Sequence, residues 1–336
     1  MPLPVDFSEI AAMASGHSEA RAIQVALKLG LFEAIAKSSL DADELARAIG
    51  AESRAVRILA DALVAMGLMT KVTGRFRLDT GARDFLVRSS PRYVGDMILF
   101  DAELWSTWGK LEETVRTGKP SRLPDMFQGT PQETSRFIRA MDSLVRARGD
   151  AGYVASFLDL SGVQTVADLA GGPGTYMAAL ARRWPALRPA LWDLGPTLNV
   201  AREILAERES DVANRIALVE VDYLRDELPS PVDMIFMSNV IHSEDEETNA
   251  MLMRKCLRAL APGGTLVIKD HIMNEERTDP RAGAVFALYL MLTTRGRDYS
   301  FNEVARWLSG AGFGQIGEHK LPMPSFTSSL VTARKP

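Results

Sequence analysis

The segment Val166-Ala-Asp-Leu-Ala-Gly-Gly-Pro-Gly-Thr175 constrains this chain more than any other. An apolar run ends in an acid and a glycine turn, and a helix opens at once over Thr175–Arg183. A second apolar run, Pro189-Ala-Leu-Trp-Asp193, ends in another acid about 25 residues after Asp168, the repeat length of a βαβ unit. Such a crossover sets the glycine turn and the second acid side by side at the carboxyl ends of neighbouring parallel strands. Glycine lets a ligand come close to the backbone, and the acid can accept hydrogen bonds from ribose hydroxyls. The pattern predicts a site for a nucleoside-bearing cofactor.

A dinucleotide site needs Gly-x-Gly-x-x-Gly, whose third glycine lets the helix pack tightly on the strand. Counted from Gly172, that third position holds Met177, and counted from Gly171 the frame fails at Pro173. An acid at the end of the first strand, followed by Gly-Gly-x-Gly, instead resembles the S-adenosylmethionine (SAM) site of Rossmann-like methyltransferases. That resemblance implies cofactor contacts at Asp168, Gly171, Gly172 and Gly174 beside the methionine part, with Asp193 on the ribose.

The 336 residues suffice for two domains with real cores, and 46% hydrophobic and 24% charged residues are ordinary for a soluble protein. A net charge of −4 argues against a nucleic-acid partner held through phosphates. One cysteine, Cys256, excludes an intrachain disulfide and suggests a reducing, cytoplasmic setting. The start, Met1-Pro-Leu-Pro-Val-Asp6, does not read as a signal peptide, and no apolar run approaches the roughly 20 residues of a membrane span. Four scattered histidines without His-x-x-x-His spacing give no reason to expect a metal.

Residues 1–95 read as a mostly helical, winged-helix-like domain. An amphipathic helix over Ala20–Lys37 is broken at Gly30, Asp41 caps a short helix to Ile49, and Ser53 is expected to cap a third. A hairpin turning at Thr73-Gly74 follows. Residues 1–90 hold eleven basic and eleven acidic side chains, a neutral balance that favours packing over DNA binding. Residues 96–155 read as a helical connector and substrate lid, interrupted by a loop at 118–124. From 156 to 336, strands alternate with helices, which predicts a parallel sheet from strands near 164–170, 189–193, 216–221, 232–238 and 264–271. Strands near 314–320 and 328–334 have no helix between them, so they must pair antiparallel.

Together, the winged-helix start, the glycine turn, Ser238-Asn-Val-Ile-His242, Arg258-Ala-Leu-Ala-Pro-Gly-Gly264, Asp298-Tyr-Ser-Phe-Asn-Glu303 and Ala311-Gly-Phe313 cover essentially the whole chain. They resemble the O-methyltransferases typified by plant caffeate and bacterial polyketide enzymes. The resemblance implies a homodimer, SAM as cofactor with S-adenosylhomocysteine (SAH) as product, and no metal. It also implies a methyl acceptor that is a small aromatic or polyketide-like metabolite with a hydroxyl group. His242 falls on the general base of that family, Asp270 and Asp298 on its flanking acids, one of which would orient the imidazole. Asp222, Tyr223 and Ser238 fall on further cofactor positions.

This chain departs from the family's Leu-His-Asp-Trp, reading Ile241-His-Ser-Glu244, and carries Ala170 where glycine is commoner. Lys269 and His271 flank Asp270 in an otherwise apolar strand. The departures keep open a second reading, in which the same scaffold methylates carbon or nitrogen or uses SAM without transferring a methyl group. Met126, Phe127, Met141, Phe286, Tyr289 and Leu290 fall where relatives line an acceptor pocket, and they read equally as core.

Overall fold

The computed structural model describes residues 6–122, 125–321 and 328–336. Met1–Val5, read above as lacking a leader, lie outside the described residues, as do Leu123 and Pro124 of the expected loop. The chain divides into two compact units, one ending at Leu104 and one running from Trp105 to Pro336. Of the stretch 96–155, one helix falls in the first unit and the rest in the second.

The first unit contains α1 (Phe7–Lys28), α2 (Leu31–Ile35), α3 (Ala42–Ile49), α4 (Ser53–Ala65), β1 (Met69–Val72), β2 (Arg75–Leu78), α5 (Thr80–Leu86) and α6 (Gly95–Glu103). Gly30, left-handed at φ 73°, separates α1 from α2 where no side chain is needed and a bend is. Asp41 and Glu44 form a capping box at α3. The expected cap at Ser53 is corrected by the structure. Glu52 caps α4, its carboxylate accepting from Arg54 N and Ala55 N at 2.9 and 2.7 Å. Ser53 is the first helical residue, and its hydroxyl donates to Asp43. Thr73 and Gly74, both at positive φ, make the tight hairpin turn. Leu31, Phe32, Leu45, Leu63 and Phe76 are buried in this unit's core.

The second unit begins with α7 (Trp105–Trp108), α8 (Leu111–Thr117), α9 (Pro131–Arg148) and α10 (Asp150–Phe157). The alternating part follows: β3 (Thr165–Leu169), α11 (Thr175–Arg183), β4 (Arg188–Asp193), α12 (Gly195–Arg208), β5 (Ala217–Glu220), β6 (Val232–Ser238), α13 (Glu246–Ala259) and β7 (Leu260–Met273). It ends with α14 (Arg281–Thr293), the two-residue β8 (Tyr299–Ser300), α15 (Phe301–Ala311), β9 (Gly314–Lys320) and β10 (Ser328–Arg334).

The strands lie in the order β5-β4-β3-β6-β7-β10-β9, with β8 on β7. Pairings from β5 through β7 are parallel, whereas β10 is antiparallel to both β7 and β9. The expected antiparallel pair therefore exists, and its later strand is the inner one. Alternate strand residues feed two cores. Ala167, Leu169, Ile235 and Met237 pack with residues of α13 and α15. Val166, Phe236 and Val267 pack with residues of α10, α11 and α12 on the opposite face. The strand order reverses at β3, so the carboxyl end of β3 is the switch point where such sheets open a crevice.

Candidate active site

Asp168, the penultimate residue of β3, has no solvent exposure, and neither carboxylate oxygen has a hydrogen-bond partner among the described residues. Burial, together with the nearby charge of Asp193, raises its pKa well above the ordinary carboxylate value. The chain then turns through Ala170, Gly172 and Gly174, all at positive φ. Gly171 is needed for space: a Cβ there would lie 2.3 Å from Asp168 Cγ and 2.5 Å from Leu191 Cδ1. Asp193, at the end of β4, ties the turn down by accepting from Gly172 N at 2.9 Å and Leu194 N at 2.8 Å. Burial lifts its pKa to about 6 despite those hydrogen bonds.

The sequence reading did not single out the brace around this turn. Gln128 Nε2 donates to Thr197 Oγ1 at 3.1 Å, and Thr197 in turn hydrogen-bonds Asp193. Thr175 donates to the buried Asp142 of α9 at 2.7 Å, and Arg139 of α9 pairs with Glu203 and Glu207 of α12. Only pairing in space links these distant residues, so no local pattern announces them.

Farther along the rim, Asp222 accepts from Leu224 N at 3.0 Å and lies 3.6 Å from Arg225. Tyr223 donates to Glu244 Oε1 at 2.7 Å. Ser238, the last residue of β6, accepts from Asn239 Nδ2 at 3.2 Å. Trp192 is buried in the sheet core, and Tyr176 packs its ring 5.1 Å from Phe236.

After β6, a single 3-10 turn, Ile241–Ser243, carries the buried His242. Asp270 of β7 grips that turn at two points and is itself held by its own strand. Its Oδ1 lies 2.6 Å from His242 Nδ1 and accepts from His271 N at 2.8 Å, while Oδ2 accepts from Ile241 N at 3.1 Å. Burial alone would raise the Asp270 pKa, but the charge and hydrogen bond of His242 outweigh it and hold it below the ordinary range. Burial likewise opposes a charged His242, and Asp270 reverses the outcome, so its pKa lies above the usual imidazole value. Asp270, and not Asp298, therefore engages Nδ1.

Asp298 is buried close by, with both oxygens lacking a hydrogen-bond partner among the described residues. Burial lifts its pKa to about 7, with Asp270 adding to the rise and His242 opposing it. Donor atoms of His242, Asp270 and Asp298 lie within 4.8 Å of one another, a spacing that could also hold a cation. The short contact to Asp270 competes for Nδ1 in any such role.

Phe286 of α14 walls this end, its ring 5.4 Å from His242 edge-on, 4.9 Å from His271 in a stack and 5.4 Å from Tyr289. The His271 ring is held neutral, pushed down to about 3 by burial and the His242 charge. Leu290 is fully buried, on the inner side of α14. Phe127 is buried against Phe137 of α9 at 4.7 Å, and Met126 and Met141 are half-buried. Lys269, noted as out of place in β7, forms an ion pair with Asp150 at 3.3 Å, both wholly buried.

Comparison with known proteins accords with this geometry. An O-methyltransferase domain matches residues 108–314, and an O-methyltransferase dimerisation domain matches residues 11–88. The chain is 30% identical over 315 residues to the 3-hydroxy-5-methyl-1-naphthoate 3-O-methyltransferase of Streptomyces sahachiroi, covering 93% of this chain and 91% of the relative. It is 30% identical over 325 residues to the tetracenomycin polyketide synthesis 8-O-methyl transferase TcmO of Streptomyces glaucescens, covering 94% and 93%. The solved structure of PigF with SAH superposes with a TM-score of 0.87 at 25% identity, covering 98% of this chain and all of that one. This chain belongs to the O-methyltransferase family and is a SAM-dependent O-methyltransferase.

Proposed function

We propose that this enzyme methylates a hydroxyl of a small aromatic or polyketide-like metabolite, with His242 as general base, and that it works as a homodimer inside the cell. The relatives named for a hydroxynaphthoate and a polyketide support the acceptor class. The matched dimerisation domain supports the assembly, and the lone buried cysteine suits a reducing interior.

The observation that carries the role of His242 is its 2.6 Å contact with Asp270. An ionised Asp270 requires the proton on Nδ1, which leaves the Nε2 lone pair as the accepting site. Phenols lose their proton near pH 10, so a neutral imidazole next to the acceptor hydroxyl can take that proton as the oxygen becomes nucleophilic. Asp270 then stabilises the imidazolium. Phe286 and Tyr289 offer ring faces for a flat acceptor, with Leu290 as backing. Helices α7 and α8 pack on α14, and Ser121 donates to Leu292 O at 2.9 Å, a cover that would help keep water out.

Bound SAM supplies an electrophilic methyl group on a cationic sulfur. The turn suits such a ligand on two grounds: two buried carboxyl groups, Asp168 and Asp193, favour a cation, and the missing side chain of Gly171 leaves room. Gly172 and Gly174 would line the methionine part, Asp193 the ribose, and Asp222, Tyr223 and Ser238 the remainder. Met126, Phe127 and Met141 would close the acceptor side from α9 and its preceding loop. Glu244, whose presence suggested a different reaction, has a structural partner in Tyr223, so the departure needs no other chemistry.

The test uses SAM with a hydroxynaphthoate as acceptor. His242→Ala should bind SAH as the wild type does and lose about 100-fold or more in turnover. Turnover within a few-fold of wild type would remove His242 from the role of base.

A further inference from the structure

The side chain of Glu244 ties the turn that carries His242 directly to the loop after β5. Glu244 is buried, and its Oε1 takes the Tyr223 hydroxyl at 2.7 Å. Burial and the Glu244 charge raise the Tyr223 pKa well above the ordinary phenol value, which keeps it a donor. The same residue is held from the other side through its backbone. Tyr299 Oη donates to Glu244 O at 2.6 Å. Asn249 Nδ2 reaches Glu244 O at 3.1 Å and Ile241 O at 2.9 Å, spanning the turn. Gly296 seals it, since a Cβ there would lie 2.2 Å from His242 O and 2.6 Å from both Glu244 N and O.

The loop end is equally closed. Lys255 Nζ donates to Tyr223 O at 2.8 Å and to Asp226 O at 2.7 Å, so the loop cannot shift without breaking a buried cation's contacts. Among the described residues, Tyr223 to Glu244 is the direct side-chain hydrogen bond between these two braced segments, which α13 also spans through Asn249 and Lys255.

We infer that Glu244 is a positioning residue that couples loop 222–226, on the cofactor side of the rim, to the turn that places His242. Cofactor binding and placement of the base then share one hydrogen bond, a charge-assisted one of the kind whose loss costs tenfold or more. The inference rests on the reading of His242 as base, but its test reads cofactor affinity alone, so the two can fail separately.

The test is calorimetry of SAH binding to the full chain in a set of conservative variants. Tyr223→Phe should bind SAH about tenfold more weakly. Tyr299→Phe, which removes a donor to the backbone of Glu244, should cost about threefold in the wild-type background and nothing further once Tyr223 is Phe. Glu244→Gln keeps an acceptor oxygen and should stay within about threefold of wild type, whereas Glu244→Leu should match Tyr223→Phe. The coupling is overturned if the two tyrosine losses multiply, if Tyr223→Phe binds SAH like the wild type, or if Glu244→Gln is as weak as Glu244→Leu. A failure of His242 as base would leave these affinities unchanged and show itself only in the turnover of His242→Ala.

Discussion

His242 combines burial with basicity, two properties that normally oppose each other. Asp270 reconciles them by facing the imidazole at 2.6 Å while the backbone N–H groups of Ile241 and His271 fix its carboxylate. As the proposed base, His242 must be neutral to act, so activity should rise with pH. Asp270 raises the His242 pKa, which puts the midpoint of that rise above the ordinary 6.5. Asp270→Asn removes the charge that favours the imidazolium, so the midpoint should fall while turnover drops about 100-fold or more from the lost orientation. The pH profile of kcat for the two proteins decides this, and an unmoved midpoint would separate Asp270 from the titration. Asp298, near 7 and without a hydrogen-bond partner among the described residues, titrates in the same range and is read by the same measurement in Asp298→Asn.

Among the elements, the turn after β3 depends most on the absence of side chains. Ala170 adopts φ 54°, a left-handed conformation that strains an L-residue, and Gly172 and Gly174 adopt similar angles without strain. Gly171 needs no unusual angle, yet its place against Asp168 and Leu191 excludes a methyl group. Gly171→Ala should therefore push the turn away from Asp168 and weaken SAH binding at least tenfold, with the rest of the sheet intact; calorimetry and far-ultraviolet circular dichroism would read the two effects. Normal SAH binding by the Gly171→Ala variant would show that the turn has slack. Capping shows how close two local solutions can be. Ser53 and Glu52 are both plausible caps for α4, and the longer side chain wins because it reaches two backbone N–H groups, leaving Ser53 to Asp43.

For the molecule as a whole, the first half of α1 exposes Phe7, Ile10 and Met13, at 85%, 55% and 55% of their surface. Three large apolar side chains on successive turns of one helix are costly to leave in water. With a dimerisation domain matched over residues 11–88, that face is expected to be covered by a second copy. Sedimentation velocity at micromolar concentration should give twice the 36.8 kDa chain mass, and Ile10→Glu with Met13→Glu should shift the species toward monomer. A monomeric wild type would leave the face without its expected partner.

Periodicity and turn chemistry act over a few residues, which is why the strands of the sheet, the break at Gly30, the hairpin at Thr73-Gly74 and the glycine turn could be read from the chain alone. The acids at 168 and 193 were legible for the same reason, because a βαβ repeat converts a spacing of 25 residues into proximity. The family resemblance placed both Asp270 and Asp298 beside His242, whereas only the folded sheet selected Asp270, because strand pairing brings β7 alongside the end of β6. The insertion of β10 between β7 and β9, the brace of Asn249, Tyr299 and Gly296 around the His242 turn, and the Tyr223–Glu244 bond were decided by tertiary structure. Each depends on groups more than a turn apart in the chain, whose meeting is set by long-range packing that local patterns do not encode.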